Sequence, residues 1–256
     1  MILAIDVGNT NIVLGCVNNK EVTSMARVAT NKLMTSDEYC IKIKAIMDLR
    51  KIELDKIDGC IISSVVPPVT SVLKKAINLL LGEPAMVVGP GIKTDFDIKI
   101  DNPAQLGSDL VVAATAVIDE YPLPAVVVDM GTATTFSVVD KKKSYLGGLI
   151  VPGLMTSLQA LTSNTAQLPN ISLEAPPHVI GKNTIDCMKS GIIFSNAAAI
   201  DGIIDRIEEQ LGEKVTIVAT GGLASVIKPH CKHHVIYDET LLLKGLFVIY
   251  TKNKGR

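Results

Sequence analysis

Two short segments of the chain carry the same set of side chains, and both sets suit a phosphate. Asp6-Val7-Gly8-Asn9-Thr10 closes the apolar run that begins at Ile2, and Asp129-Met130-Gly131-Thr132-Ala133-Thr134 closes the run Ala125–Val128. Each reads as apolar run, aspartate, any residue, glycine, hydroxyl or amide side chains, then a second run. Glycine has no Cβ, so backbone N–H groups in such a turn can approach a phosphate closely. Thr and Asn add donors at the same place. An aspartate at a strand end can hold a cation beside the phosphates, often through water, because Mg2+ keeps several of its waters. One Asp-x-Gly turn is equally an ordinary hairpin. Two of them, with aspartates at 6 and 129 and glycines at 8 and 131, indicate an internal repeat of one α/β unit.

Further candidates are weaker by themselves. Gln105-Leu106-Gly107-Ser108-Asp109-Leu110 opens a helical stretch. Asp109 there is either an acid favoured by the helix dipole or a general base for a substrate hydroxyl. Gly147–Gly153 (GGLIVPG) is a bulged strand end or a wall pressed against a ligand. Thr184, after Gly181-Lys182-Asn183, is a helix cap or a ligand contact, and Ala219–Ala224 is a tight strand-turn-helix junction with the same two readings. His230, His233 and His234 crowd around Cys231 without regular metal-ligand spacing, which reads as a solvated loop. Ser63 and Ser64 lack the G-x-S-x-G context of a hydrolase nucleophile. A Walker A sequence and a complete G-x-G-x-x-G are both absent, against P-loop and Rossmann nucleotide binding.

The elements that must position these residues follow from periodicity. Ile2–Asp6, Ile12–Val17 and Glu21–Val28 read as a β-meander. Ser36–Leu49 has helical spacing with Ser36 as its cap, Gly59–Val66 is a strand stopped by Pro67-Pro68, Val69–Leu81 is a helix ended by Gly82, and Ala85–Val88 is a short strand. Gln105–Glu120 reads as a helix, Ala125–Asp129, Phe136–Asp140 and Ser144–Val151 as strands, and Pro152-Gly153 as the start of a helix to about Ser163. Thr184–Leu211 is a long amphipathic or buried helix, Val215–Ala219 a strand and Thr240–Tyr250 a terminal helix. The pattern is strand-turn-strand and helix, made twice.

Composition narrows the partners. Lys+Arg (25) and Asp+Glu (26) nearly cancel in 256 residues, Trp is absent, and aromatics are 4%. No field of one sign draws nucleic acid or an anionic membrane, and base-stacking platforms are few. Five scattered cysteines without a C-x-x-C pair suggest a reducing compartment. Asp6 interrupts the apolar N-terminus, so it does not read as a signal peptide, and the runs Ala125–Val128 and Leu241–Tyr250 are too short to cross a bilayer. The expectation is a cytoplasmic protein.

Together the motifs support a family resemblance. Asp6–Gly15 (DVGNTNIVLG), Gly107–Leu110 (GSDL), Asp129–Thr135 (DMGTATT), Gly147–Gly153 and Thr165–Pro169 (TAQLP) stand in the order seen in type III pantothenate kinases, and the similarity reaches Leu241–Gly245. The resemblance implies a duplicated ribonuclease-H-like, actin-like ATPase fold, with halves 1–118 and 119–256 facing each other across a cleft. It implies ATP-dependent phosphorylation of pantothenate to 4'-phosphopantothenate, the first step towards coenzyme A, by a cytoplasmic homodimer. Carried over by position, Asp6, Val7, Gly8, Asn9, Thr10, Asn11, Ile12 and Val13 would hold the ATP phosphates, with Asp6 near Mg2+, and Thr132 would also contact ATP. Asp109 would accept the proton, and Asp129 would ligate a monovalent cation, K+ or NH4+. Gly107, Ser108, Asp109, Leu110 and Thr184 would line the pantothenate pocket, Thr184 from across the dimer interface.

The chain departs from the family in one segment. Gly-Ala-Asp-Arg is usual there, and this chain has Gly107-Ser108-Asp109-Leu110; the family's substrate-facing Tyr has only Phe96 as a counterpart. Arg to Leu removes a rigid five-donor cation, which Lys99 or Lys182 would have to replace. That change keeps a second expectation open, a non-catalytic nucleotide-binding relative. A chaperone-like or filament-forming ATPase is remote, because no peptide-binding domain follows the repeat.

Overall fold

Most strands and helices follow the periodicity, in the order β1 (Ile2–Val7), β2 (Asn11–Asn18), β3 (Glu21–Ala29), α1 (Ser36–Leu49), β4 (Cys60–Ser64), α2 (Pro67–Leu81), β5 (Met86–Val87), β6 (Asp97–Ile98) and α3 (Ser108–Glu120), then β7 (Ala125–Met130), β8 (Ala133–Val139), β9 (Ser144–Pro152), α4 (Leu154–Ser163), α5 (Thr184–Leu211), β10 (Thr216–Thr220), α6 (Ala224–Ile227), β11 (Val235–Tyr237) and α7 (Leu241–Asn253). The helix expected from Gln105 starts at Ser108, and β6, α6 and β11 are additional. This computed structural model describes residues 1–165 and 168–255; Ala166 and Gln167 of the Thr165–Pro169 motif, and Arg256, lie outside the described residues. The chain forms two compact units, one of Met1–Phe96, Asp101–Glu120 and Thr240–Arg256, the other of Asp97–Ile100 and Tyr121–Glu239.

Each unit contains the same mixed sheet. In the first the strand order is β3-β2-β1-β4-β5, with β1 antiparallel to β2 and parallel to β4. In the second, β9-β8-β7-β10-β11 repeats that order and those directions, and the two-residue β6 is added beside β9. The fold is therefore a duplicated α/β architecture. The central strands β1 and β7 even share a burial pattern, four buried residues, a half-buried aspartate and one more buried residue.

The first sheet is covered on both faces, so its central strand is apolar at every position but one. Leu3, Ile5 and Val7 pack with Tyr39, Ile43 and Met47 of α1 and with Leu73 and Ile77 of α2. Ile2 and Ala4, pointing the other way, pack with Val111 and Val112 of α3 and with Leu243, Leu246 and Ile249 of α7. Full burial of each Ile or Leu is worth about 1.5–3 kcal/mol. Helix α7 thus belongs to the first unit and not, as a cut at 118/119 would have it, to the half that precedes it in sequence. Two glycines record how closely it packs. A Cβ on Gly15 would lie 2.4 Å from Leu243 Cδ1, and one on Gly245 would lie 2.3 Å from Val112 O.

In the second unit Val126, Val128, Met130 and Phe136 pack with Leu154 and Leu158 of α4 and with Ile192, Ile193, Ala197, Ile200 and Ile204 of α5. Helix α5, at 28 residues, is long and apolar enough to cross a bilayer, but this stripe lies in the unit's core. Some local signals differ from the sequence expectation. Thr35, not Ser36, caps α1: its side chain accepts from Glu38 N while the Glu38 carboxylate accepts from Thr35 N. Pro67 does not merely end the strand but starts α2, where its missing N–H is no loss. Asn183, not Thr184, caps α5, its side chain accepting from Asp186 N.

Candidate active site

The first turn joins β1 to β2. The ladder runs through Asp6↔Val13 and Val7↔Ile12, and Gly8 N donates to Asn11 O at 2.9 Å. Asn9, Thr10 and Asn11 are exposed, Gly8, Asp6 and Val13 half-buried. Val7 and Ile12 lie in the core, so their side chains face α1 and α2 and only their backbone belongs to the turn. Thr30, just past β3, braces the loop: its N–H donates to Thr10 O at 2.9 Å and its hydroxyl to Gly8 O at 2.7 Å. With those two acceptors engaged, the turn is better suited to receiving an anion. On the other side Asp6 stands in register with Ser63 of β4.

Helix α3 begins at that same end of β4. Asp109 lies in its first turn, half-buried, with Oδ1 accepting from Leu110 N at 2.9 Å. A Cβ on Gly107 would come within 2.4 Å of that oxygen, so glycine is required if the carboxylate is to fold back over the helix start. Burial raises the Asp109 pKa above the usual carboxylate range, against the lowering effect of the Leu110 and Asp109 amides. Asp109 is thus a first-turn acid whose proton affinity is tuned upward by burial. Ser108, beside it, hydrogen-bonds to Ser63 and Ser64 of β4. The first unit therefore gathers Asp6, Ser63, Ser108 and Asp109 at one end of its two central strands.

The second turn joins β7 to β8. Asp129 pairs with Thr135 and Met130 with Thr134, and Gly131 N donates to Ala133 O at 3.1 Å. Thr132 and Gly131 are exposed, and Asp129 is half-buried. Gly153, after β9, donates to Thr132 O at 3.2 Å, and the Thr156 hydroxyl reaches the same oxygen at 2.8 Å. A Cβ on Gly153 would lie 2.4 Å from Gly131 O. Gly221, which follows β10 with φ +91°, approaches from the other side, where a Cβ would lie 2.6 Å from Met130 O and 2.8 Å from Asp129 Oδ1. The glycines of GGLIVPG and of the Ala219–Ala224 junction therefore serve to admit this turn.

The remaining candidates fall elsewhere. Thr184 is the exposed first residue of α5. Leu110 is half-buried in α3, and Lys99 pairs with Asp140 at 3.9 Å. The histidine stretch is more ordered than a solvated loop: His233 Nε2 lies 2.9 Å from Asp205 Oδ1, and with Glu208 these groups form a metal-sized cluster. Glu208, however, already accepts from Lys214 Nζ at 2.6 Å and Val215 N at 3.1 Å. Val215 precedes β10, whose far end, Thr220, pairs with Asp129. That places the cluster roughly 16 Å away along the strand, at the edge opposite the turn. It ties α5 to the sheet. The thiols of Cys16 and Cys231, raised by burial to about 11, are poor nucleophiles.

The profile of the type III pantothenate kinase family matches residues 2–206. Type III pantothenate kinases of an Exiguobacterium species and of Moorella thermoacetica are 44% and 43% identical to this chain, each over 99% of it and 100% of their own length. Among solved structures, a putative Baf family transcriptional activator from Campylobacter jejuni aligns over 100% of both chains with 21% identity and a TM-score of 0.61. A putative 2-dehydro-3-deoxygalactonokinase from Sinorhizobium meliloti aligns over 100% of this chain and 98% of its own, with 9% identity and a TM-score of 0.57. At such identities the structural matches speak for the duplicated fold alone. The sequence matches span both turns, the Asp109 segment and almost every residue of both partners, and on them the chain belongs to the type III pantothenate kinase family.

Proposed function

We propose that this chain phosphorylates pantothenate at its primary hydroxyl with ATP, and that Asp109 accepts the hydroxyl proton. The observation that carries the reading is Asp109 itself. A half-buried carboxylate with raised proton affinity is held at a helix start, at the strand end that also carries Asp6. As the alcohol oxygen attacks the γ-phosphorus in line with the departing ADP, its proton passes to Asp109. Phosphoryl transfer of this kind gains mainly from positioning and charge stabilisation.

The first turn, Asp6 to Val13, would take the phosphates of ATP, its core residues Val7 and Ile12 contributing backbone only. Asp6 suits Mg2+, held directly or through water, and Mg2+ would neutralise charge on the phosphates. Thr132 would contact ATP from the second turn. Asp129, half-buried and closely approached by the backbone of Gly221, suits a monovalent cation, K+ or NH4+. Gly107, Asp109, Leu110 and Thr184 would face pantothenate. Leu110 replaces the guanidinium usual at its position, and an apolar contact with the substrate's dimethyl carbon would suit it. Homodimer formation agrees with exposed apolar side chains on the second unit, where Ile150 is 74%, Ile180 81% and Ile185 48% exposed. A cytoplasmic location follows from the substrates.

A coupled assay of ADP release tests the reading, with and without pantothenate, in K+ and in Na+. Turnover is expected only with pantothenate present, and several-fold faster in K+. ATP binding without turnover would reject it in favour of a non-catalytic relative.

A further inference from the structure

We infer that Thr30 is a positioning residue for the phosphates of ATP: its hydroxyl and its N–H draw two carbonyls of the first turn away from the ligand and hold the turn in shape for an anion. The inference rests on the proposed function and deepens it, because Thr30 lies outside the Asp6–Val13 segment to which phosphate binding is assigned.

Carbonyl oxygens are the difficulty in any backbone cradle for a phosphate. Each peptide carries an N–H that attracts the anion and a C=O that repels it, so a turn serves only if its carbonyls are aimed elsewhere. Internal donors do that here. Val7 O accepts from Val65 N at 3.1 Å, and Asn11 O accepts from Gly8 N at 2.9 Å. Gly8 O and Thr10 O, between them, are both engaged by Thr30, through its hydroxyl at 2.7 Å and its N–H at 2.9 Å. The reach follows from the ladder. β3 ends at Ala29, which pairs with Asn11, so Thr30 is the first residue beyond the pairing. It is half-buried, whereas Asn9, Thr10 and Asn11 are exposed. Thr30 is also fixed from its far side. The Tyr39 hydroxyl accepts from Asn31 N at 3.1 Å and donates to Asn31 O at 2.8 Å, and Tyr39 lies in the core at 1% exposure. The second unit repeats the device with other residues. Thr132, proposed to contact ATP from that turn, has its own carbonyl engaged by Gly153 N and the Thr156 hydroxyl, both just past β9, the strand that corresponds to β3.

The consequence is read in ATP affinity. A turn already held in its binding shape has little freedom left to lose when ATP arrives. Thr30→Val keeps the side-chain shape and the N–H but removes the hydroxyl, which releases Gly8 O. The Kd for MgATP by calorimetry, without pantothenate, is expected to rise about 5- to 20-fold. KM for ATP should rise with it, and KM for pantothenate should stay within about 2-fold. Thr30→Ser, which keeps the hydroxyl, is expected to bind MgATP within about 3-fold of wild type. Unchanged ATP affinity in Thr30→Val would overturn the inference, and a lowered melting temperature beside it would mark the bonds as purely structural. Equal losses in the Val and Ser variants would overturn it too, because the hydroxyl would not be the cause. If Thr30→Val does not fold, Thr30→Ala takes its place with the same expected and overturning results. Amide exchange reads the brace without a ligand. Residues 8–11 are expected to exchange at least about fivefold faster in Thr30→Val than in wild type or Thr30→Ser, and equal rates overturn the brace. A wild-type protein that binds MgATP but leaves pantothenate unphosphorylated rejects the proposed function, and calorimetry on the variants then decides this inference by itself. A wild-type protein that binds no MgATP overturns both.

Discussion

The two hairpin turns descend from one pattern and have been fitted to different surroundings. The strand leading into each ends with the same burial sequence and a half-buried aspartate. Beyond the aspartates they diverge. In the first unit four residues separate the paired Val7 and Ile12; in the second three separate Met130 and Thr134. The first turn is exposed and braced from one side by Thr30. The second, also exposed at Gly131 and Thr132, is flanked by Gly153 and Gly221, whose missing side chains let their backbones press on its carbonyls. The repeat has kept the carboxylate and varied what surrounds it: a turn braced through Gly8 O and Thr10 O by Thr30 alone, against one braced through Thr132 O by Gly153 and Thr156 and closely approached by Gly221. The proposed function gives the first turn the ATP phosphates and the second a monovalent cation, and the variants below test that division.

A third difference predicts the largest effect. Two helices pack on the same face of the first sheet: α3, which carries Asp109 in its first turn, and α7, which comes after β11 in sequence and starts Leu241-Leu242-Leu243 without an acid. Of these two helix starts, that of α3 alone carries a carboxylate, the proposed proton acceptor. Asp109→Asn is expected to lower turnover by at least about a thousandfold while ATP still binds. Stability should move the other way. The folded-state pKa of Asp109 is raised, so the fold disfavours its ionised form. Its charge costs stability as pH rises above the ordinary carboxylate range, and the neutral variant is expected to melt higher than wild type at pH 7. Below that range, where both are uncharged, the difference should vanish. Thermal melts at two pH values check the sign.

The aspartates of the turns come next, and they separate the two assigned roles. Asp6→Asn is expected to lower kcat/KM for MgATP by about a hundredfold without altering the preference for K+. Asp129→Asn is expected to cost about tenfold in K+ and to abolish the difference between K+ and Na+. Steady-state assays in the two salts distinguish them. Equal salt dependence in both variants would erase the functional contrast between the turns.

Much of this contrast is legible in the sequence because it resides in residue types at fixed spacing: aspartate, glycine, then small polar residues after an apolar run. The meander, the long α5 and the helix start at Asp109 follow from periodicity. Other features are settled by tertiary contacts. Helix α7 is apolar nearly all round, which says that it is buried but not that the first sheet, far away in sequence, buries it. The hydroxyl of Ser108 meets β4 through a contact 44 residues back along the chain, and no local rule anticipates it. β6, β11 and α6 are two to four residues long, too short for a period to show. The Thr35 cap, by contrast, was within reach: Glu38 three residues on is the capping-box signature, and the competing serine next door obscured it.

The smallest effects concern the glycines, and they sharpen the comparison through stability. Gly221 has φ +91° and a Cβ position 2.6 Å from Met130 O, a backbone atom that cannot swing aside. Gly221→Ala adds an unfavourable φ to a collision and is expected to destabilise by about 2–4 kcal/mol, or roughly 4–16 °C in a chain of this size. Gly8→Ala meets only Asn11 O, at 3.2 Å, and Gly8 does not have a positive φ. A few tenths of an ångström of loop movement relieves that contact, and the loop is exposed. Its expected cost is below about 1 kcal/mol, with the loss read instead as weaker ATP binding by calorimetry. Equal melting temperatures for the two variants would mean that the second turn yields as readily as the first, and its closed packing would then give no reason to hold a cation there.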